Sequence, residues 1–212
     1  MIPFSPDVFF ALFEEYNLAI WPAQLVAYGL GLLVLALVFR PSRAASAVIG
    51  AILTAFWLWT GLVYHWYFFA PINFAAPVFA ALFGLQALLL FWRFLIRVDM
   101  TFAFRRDVTG AAGLTLMVLA LAVFPLFEIA AGHAWPQSAS FGLTPALTVL
   151  FSFGAILLAR PRIPLLVLVI PFLWTMIGTA TAWLVGIPEN MLLPAAALLS
   201  LIVIIRQRRR TA

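Results

Sequence analysis

LWTGLVYHWYFFAPINFAAP, residues 58–77, decides how the chain is read. It holds the end of one apolar segment, a sharp turn at Pro71 and the start of the next. The stretch returns, altered, at 173–194 as LWTMIGTATAWLVGIPENMLLP. Both copies open Leu-Trp-Thr, with Trp59 answered by Trp174. Both close Pro-x-Asn-x-x-x-Pro, with Pro71, Asn73 and Pro77 answered by Pro188, Asn190 and Pro194. A polar Asn set between two prolines, twice, in a chain this apolar points to an internally duplicated membrane protein.

Working outward, the apolar segments lie near 17–39, 45–69, 73–96, 108–131, 141–159, 163–186 and 189–205. Most reach the ~20 residues that cross ~30 Å of hydrocarbon. Segment one carries Pro22 and Gly31 and finishes at Arg40-Pro41; segment five carries Pro145 and Gly154 and finishes at Arg160-Pro161. Segments two and three match six and seven through the Leu-Trp-Thr and Pro-Asn-Pro landmarks. The expected fold class is therefore all-α, a bundle of seven transmembrane helices. Two three-helix repeats flank a linker helix, 3+1+3, and an odd linker makes the repeats parallel about an axis along the membrane normal.

Composition agrees. Of the 212 residues 66% are hydrophobic and 9% charged, and the mean hydropathy is +1.14. A soluble domain is about half apolar and about a quarter charged. Absence of Cys removes disulfides, thiol catalysis and Cys-ligated metal. All twelve basic residues are Arg, so no Lys is available for a retinal Schiff base. The arginines follow segments one, three, five and seven, whereas the opposite turns carry Asp7, Glu14, Glu15 and Glu189. By the positive-inside rule the N-terminus is expected outside and the C-terminus in the cytoplasm. The basic balance then reflects topology and headgroup phosphates, not nucleic acid.

Residues 1–16 lack a basic n-region and a cleavage site, so no signal peptide is read there. Ser5-Pro6-Asp7 reads as a helix start with Ser5 as N-cap. Val8, Phe9, Leu12, Phe13 and Tyr16 fall at helical spacing, as in an amphipathic helix in the outer interface. One transmembrane domain is expected: interfacial helix 1–16, first repeat 17–97, linker helix and loops 98–139, second repeat and basic tail 140–212.

Asn73 and Asn190 offer both donors and acceptors to a solute, or they cap the helices that begin beside them. Trp59 and Trp174 recur and are candidates to line the same cavity; the other aromatics of 56–69 suit an interfacial belt. Thr148 and Ser152, with Thr144, form a polar stripe on segment five, and Thr175 and Thr179 another on segment six. Such stripes line solute paths or mediate close helix packing. Glu128 and His65 are candidates for proton coupling. His133 lies on the same side, but the spacing supports no metal site. Gln24 and Gln86 read as packing hydrogen bonds. No catalytic motif, metal or cofactor site is found, so an enzyme is not expected.

This architecture resembles the SWEET sugar transporters of the PQ-loop fold. In that family a Trp on the second and sixth helices and an Asn on the third and seventh face a central cavity, which here match Trp59, Trp174, Asn73 and Asn190. Its gating prolines find counterparts in Pro41, Pro161 and Pro164; no proline opens segment two, and the Pro-Gln dipeptide is missing. The wording of PFSPDVFFALFEEYNLAIWPAQ, VYHWYFFAPIN and FGLTPALTVLF is similar to a bacterial family of small multi-pass proteins of unknown function. The resemblances imply a permease for a small polar solute in the bacterial inner membrane. Its partners would be the lipid bilayer, the solute and a second copy of the chain. The alternative is a non-transporting subunit of a larger membrane complex, and a further one an intramembrane enzyme or metal site at Glu128, His65 and His133.

Overall fold

Pro22 is where the first apolar segment fails to be one helix. Proline has no N–H and disfavours helix in the residue before it, and the chain turns through 86° at Ile20–Pro22. The expected segment 17–39 is thus divided between α1 (Pro6–Ala19) and α2 (Ala23–Leu37). The computed structural model describes residues 5–97, 100–161, 164–185 and 192–211. Within them α3 (Arg43–Phe69), α4 (Ala76–Ile96) and α5 (Val108–Ala130) are long and apolar enough to cross a membrane, and the bent α1–α2 pair would make a fourth crossing. α6 (Pro145–Leu157), α7 (Leu165–Leu168 as a 3-10 turn, then Val169–Val185) and α8 (Leu192–Thr211) complete eight described helices. Two-residue strands β1 (Thr101–Phe102) and β2 (Ala159–Arg160) pair antiparallel.

Local chemistry sets the starts. Ser5 Oγ accepts from Val8 N, as the sequence predicts, and Ser42 Oγ from Ala45 N and Asp107 Oδ1 from Gly110 N start α3 and α5. Each satisfies an N–H that a helix cannot satisfy internally. Beyond Trp59 the backbone of α3 widens into a π-helix over Thr60–Phe69. Wide turns of this kind recur at functional sites.

α3 packs along α4, with α2 on one flank and α1 across its aromatic end. α5 lies on α6, which also touches α3, α7 and α8. α6 is the core of the molecule: every residue but Ala146 is buried. At about 1.5 Å per residue it is roughly 20 Å long, shorter than a full crossing. Its apolar character serves protein packing. The repeat landmarks occupy equivalent local positions, since Pro22 and Pro145 open α2 and α6, and Arg40 and Arg160 follow them. The packing differs: α6 is central, whereas α2 is half exposed.

The arginine-bearing ends meet. Phe104 N donates to Val38 O, Phe102 N to Ser46 Oγ and Arg105 Nη2 to Leu157 O. Burial pushes the Arg105 guanidinium down, Asp107 at 3.6 Å pulls it back up and Arg160 pushes it down again. The opposite end carries Glu14, His65, Glu128 and His133. Between the two ends the outer surface is apolar, with Trp66, Phe74, Leu88, Met176 and Trp183 exposed.

Candidate functional site

At the end opposite the arginines, α1, the π-helical turn of α3, α5, the 132–144 loop and α7 close around a cavity. Its volume is about 60 Å³. That is several times the ~10–15 Å³ one water needs. Phe9 and Phe13 from α1, Tyr64 and Phe69 from α3, Phe79 from α4 and Trp174 from α7 form its walls. Its polar lining is His65, Glu128, His133, Thr144 and Thr181.

His65 is wholly buried, and neither ring nitrogen has a hydrogen-bond partner. Rings surround it: Phe83 at 4.8 Å, Trp174 at 5.0 Å, Tyr64 at 5.2 Å and Phe79 at 5.7 Å between centroids. A neutral imidazole carries one donor and one acceptor, and burying such a group unpaired costs about 1–3 kcal/mol. The Glu128 carboxylate accepts from Ala139 N at 2.9 and 3.1 Å, which ties α5 to the loop. His133 stacks on Phe10 at 4.1 Å.

The outer wall is held by a polar network. Asn17, fully buried, donates to Pro136 O and Ser138 O and accepts from Ser140 Oγ. Tyr16 O–H donates to Leu143 O at 2.7 Å and accepts from Trp59 Nε1 at 2.9 Å. These bonds fasten α1 and α3 to the loop that closes the cavity.

The candidate residues fall into three places. Trp174, His65 and Glu128, to which the sequence assigns different roles, share the cavity. Thr175 and Thr179 lie on an open apolar groove between α7 and α8, where Thr175 bonds back to Pro171 O and the Thr179 hydroxyl is buried unpaired. The others serve packing. Asn73 Oδ1 accepts from Ala75 N at 2.9 Å, which turns the chain into α4. Trp59 Nε1 donates to Tyr16 Oη, Thr148 meets Thr60 at 3.2 Å, and Ser152 accepts from Trp57 Nε1 at 2.8 Å. Asn190 lies outside the described residues, so its pairing with Asn73 is not seen. Gln86 Nε2 donates to Val167 O, tying α4 to α7 as a packing hydrogen bond. No cluster of metal-ligating side chains occurs among the described residues.

Sequence reasoning missed Phe9, Phe13, Phe69 and Phe79 as cavity walls. The helical spacing of 9, 13 and 16 was the available signal, because it marks a face that must cover something. Ser152→Ala separates packing from binding: it strands the buried Trp57 N–H, at about 1–3 kcal/mol. Its melting temperature should fall while the environment of His65 stays unchanged in NMR spectra.

Residues 6–212 match a family of unknown function, DUF6064, and the chain belongs to that family. No curated protein and no solved structure matches it. The SWEET-like arrangement therefore gains no counterpart from either.

Proposed function

We propose that this family member is a permease for a small polar solute in the bacterial inner membrane, with the solute held in the His65 cavity. The single observation that carries the reading is His65. A buried imidazole with both nitrogens unpaired, at the edge of a cavity with room for several non-hydrogen atoms, is completed by a guest. Trp174 lines that site. In this reading Asn73 builds the corner that presents the π-helical turn and does not bind the solute.

Three features support the membrane setting. α3, α4 and α5 are long and apolar enough to cross, the outer surface is apolar, and the arginines gather at one end. We read the bent α1–α2 pair and α3 to α8 as the seven segments of one membrane bundle, α6 among them as a short helix sheathed by its neighbours. They are arranged as two parallel repeats joined by α5, with the N-terminus outside. The cavity then opens near the outer face, and transport, passive or proton-coupled, requires it to reach the arginine end by rearrangement. No catalysis is assigned.

The test is solute flux into proteoliposomes. His65→Phe, which suits a box of rings, is expected to cut flux at least tenfold while the protein stays monodisperse. Unchanged flux would remove the site. The rival reading, a structural subunit, is favoured by the burial of every α6 residue but Ala146 among its neighbours. Stable co-purification with unrelated membrane subunits would support that rival instead.

A further inference from the structure

At the arginine end of the bundle, one short ribbon gathers positive charge that the protein leaves unbalanced. β2 sets Arg160 opposite Thr101 of β1, and the pairing runs on as Ala103 N donates to Leu158 O. Arg105 follows, and its Nη2 donates to Leu157 O at 3.0 Å, which holds the guanidinium down on the ribbon with only 12% of the side chain exposed. A charge held this deep needs compensation close by. Asp107 supplies part of it from 3.6 Å, but its other oxygen accepts from Gly110 N to start α5. An arginine carries five N–H donors. Among the described residues Leu157 O takes one of them, and the buried Nε–H has no hydrogen-bond partner. The exposed Arg160 adds a second cation whose charge opposes that of Arg105, and it has no carboxylate partner among the described residues. One half-exposed carboxylate thus answers two guanidiniums.

We propose that Arg105 and Arg160 form a binding site for a phosphate group at this end of the bundle. A guanidinium presents paired donors in one plane that match phosphate oxygens, and such charge-assisted bonds are short and strong. Arg105 is preset by its bond to Leu157 O, whereas the exposed Arg160 side chain is free to swing onto the same group. Exposed Arg40, Arg43 and Arg97 add attraction at longer range. The phosphate can belong to an anionic lipid of the adjoining leaflet or to a soluble compound. The site shares no residue with the His65 cavity and does not rest on it.

The full chain in maltoside micelles, which contain no phosphate, is titrated with phosphatidylglycerol, with inorganic phosphate and with chloride at matched ionic strength. Its melting temperature is followed, because a ligand that binds the folded chain raises the midpoint. The expected result is a rise with phosphatidylglycerol or phosphate that chloride does not reproduce. Arg160→Gln, which keeps the β2 backbone, is expected to raise the half-effective concentration about tenfold, the weight of one charge-assisted contact. Arg206→Gln removes an equally exposed charge from α8 and is expected to change it less than about twofold. A response to phosphatidylglycerol at about tenfold lower concentration than to phosphate makes lipid the source. The reverse order makes the source a soluble phosphate compound, and either order supports the site. Equal losses in the two variants would show diffuse attraction by the basic end and overturn it. A midpoint that neither phosphatidylglycerol nor phosphate moves in the unmutated chain overturns it without any variant. Both failures leave the His65 reading standing.

Discussion

Replacing Gly154 by alanine is expected to lower the stability of the whole bundle by about 1–3 kcal/mol, the usual cost of overpacking. Gly154 on α6 faces Gly113 on α5. A Cβ at Gly154 would stand 2.6 Å from Gly113 O and 2.8 Å from Met117 N, and one at Gly113 would stand 2.8 Å from Gly154 O. These neighbours are backbone atoms, which no rotamer change can move, so the helices themselves must part. Small residues at helix crossings allow this approach in membrane bundles. α6 also carries the contacts of α3, α7 and α8, so the displacement cannot stay local.

Thermal unfolding of the purified chain checks it, and roughly 2–4 °C is lost per kcal/mol at this size. The Gly113→Ala, Gly154→Ala double variant should lose less than the sum of the singles, because helices already parted accommodate the second methyl. Gly84→Ala is the control: nothing lies within 4 Å of its added carbon, and alanine gains up to about 1 kcal/mol in a helix. A Gly154→Ala variant as stable as the wild type would mean that the α5–α6 crossing is wrong.

The second large effect is at Asn17. Asn17→Leu leaves Pro136 O, Ser138 O and Ser140 Oγ without the partner that binds all three. Ser140 is buried while Pro136 and Ser138 are partly so. About 1–3 kcal/mol is therefore lost for the stranded buried group and less for the two carbonyls that water can reach, all of it in the 132–144 loop that roofs the cavity. The absence of Cys makes a clean readout available. With Ser138→Cys as the one thiol, the Asn17→Leu background should raise the rate of maleimide labelling at least tenfold. An unchanged rate would show that the loop is held by other contacts, of which Glu128 to Ala139 N is the first to examine.

Much of the helical frame is legible in the sequence because it rests on local chemistry. Ser5 caps α1 as expected, and α3 and α5 follow the apolar segments 45–69 and 108–131 closely. Asn73 closes a turn onto Ala75 N just before α4, whose N-cap is Ala75 without a side-chain bond. The break at Trp21-Pro22 escapes a reading in which Pro22 is a repeat landmark matching Pro145. Proline opens a helix in both places, and only the chain before it decides whether the result is a bend. The central position of α6 is hidden for a different reason. An apolar helix has the same composition whether lipid or protein surrounds it.

The cavity is the least legible feature. The topology expected from the sequence puts Glu128, His65 and His133 on one side, and the expected repeat with Trp59 makes Trp174 a cavity candidate. That these two lines meet depends on how α3, α5 and α7 pack, with His65 and Trp174 in ring contact at 5.0 Å although far apart in the chain. The repeat misleads at Trp59, whose indole is tied to Tyr16. Equivalent sequence landmarks do not imply equivalent surroundings.

The most direct test of the account is an experimental map of the protein in nanodiscs, purified without stripping small molecules and sharp enough to place ring nitrogens. The prediction is non-protein density inside the aromatic cavity, within about 3.2 Å of one His65 nitrogen. A cavity closed by side chains, with both nitrogens of His65 bonded to protein groups, would contradict the account and hand the lead to the structural-subunit reading.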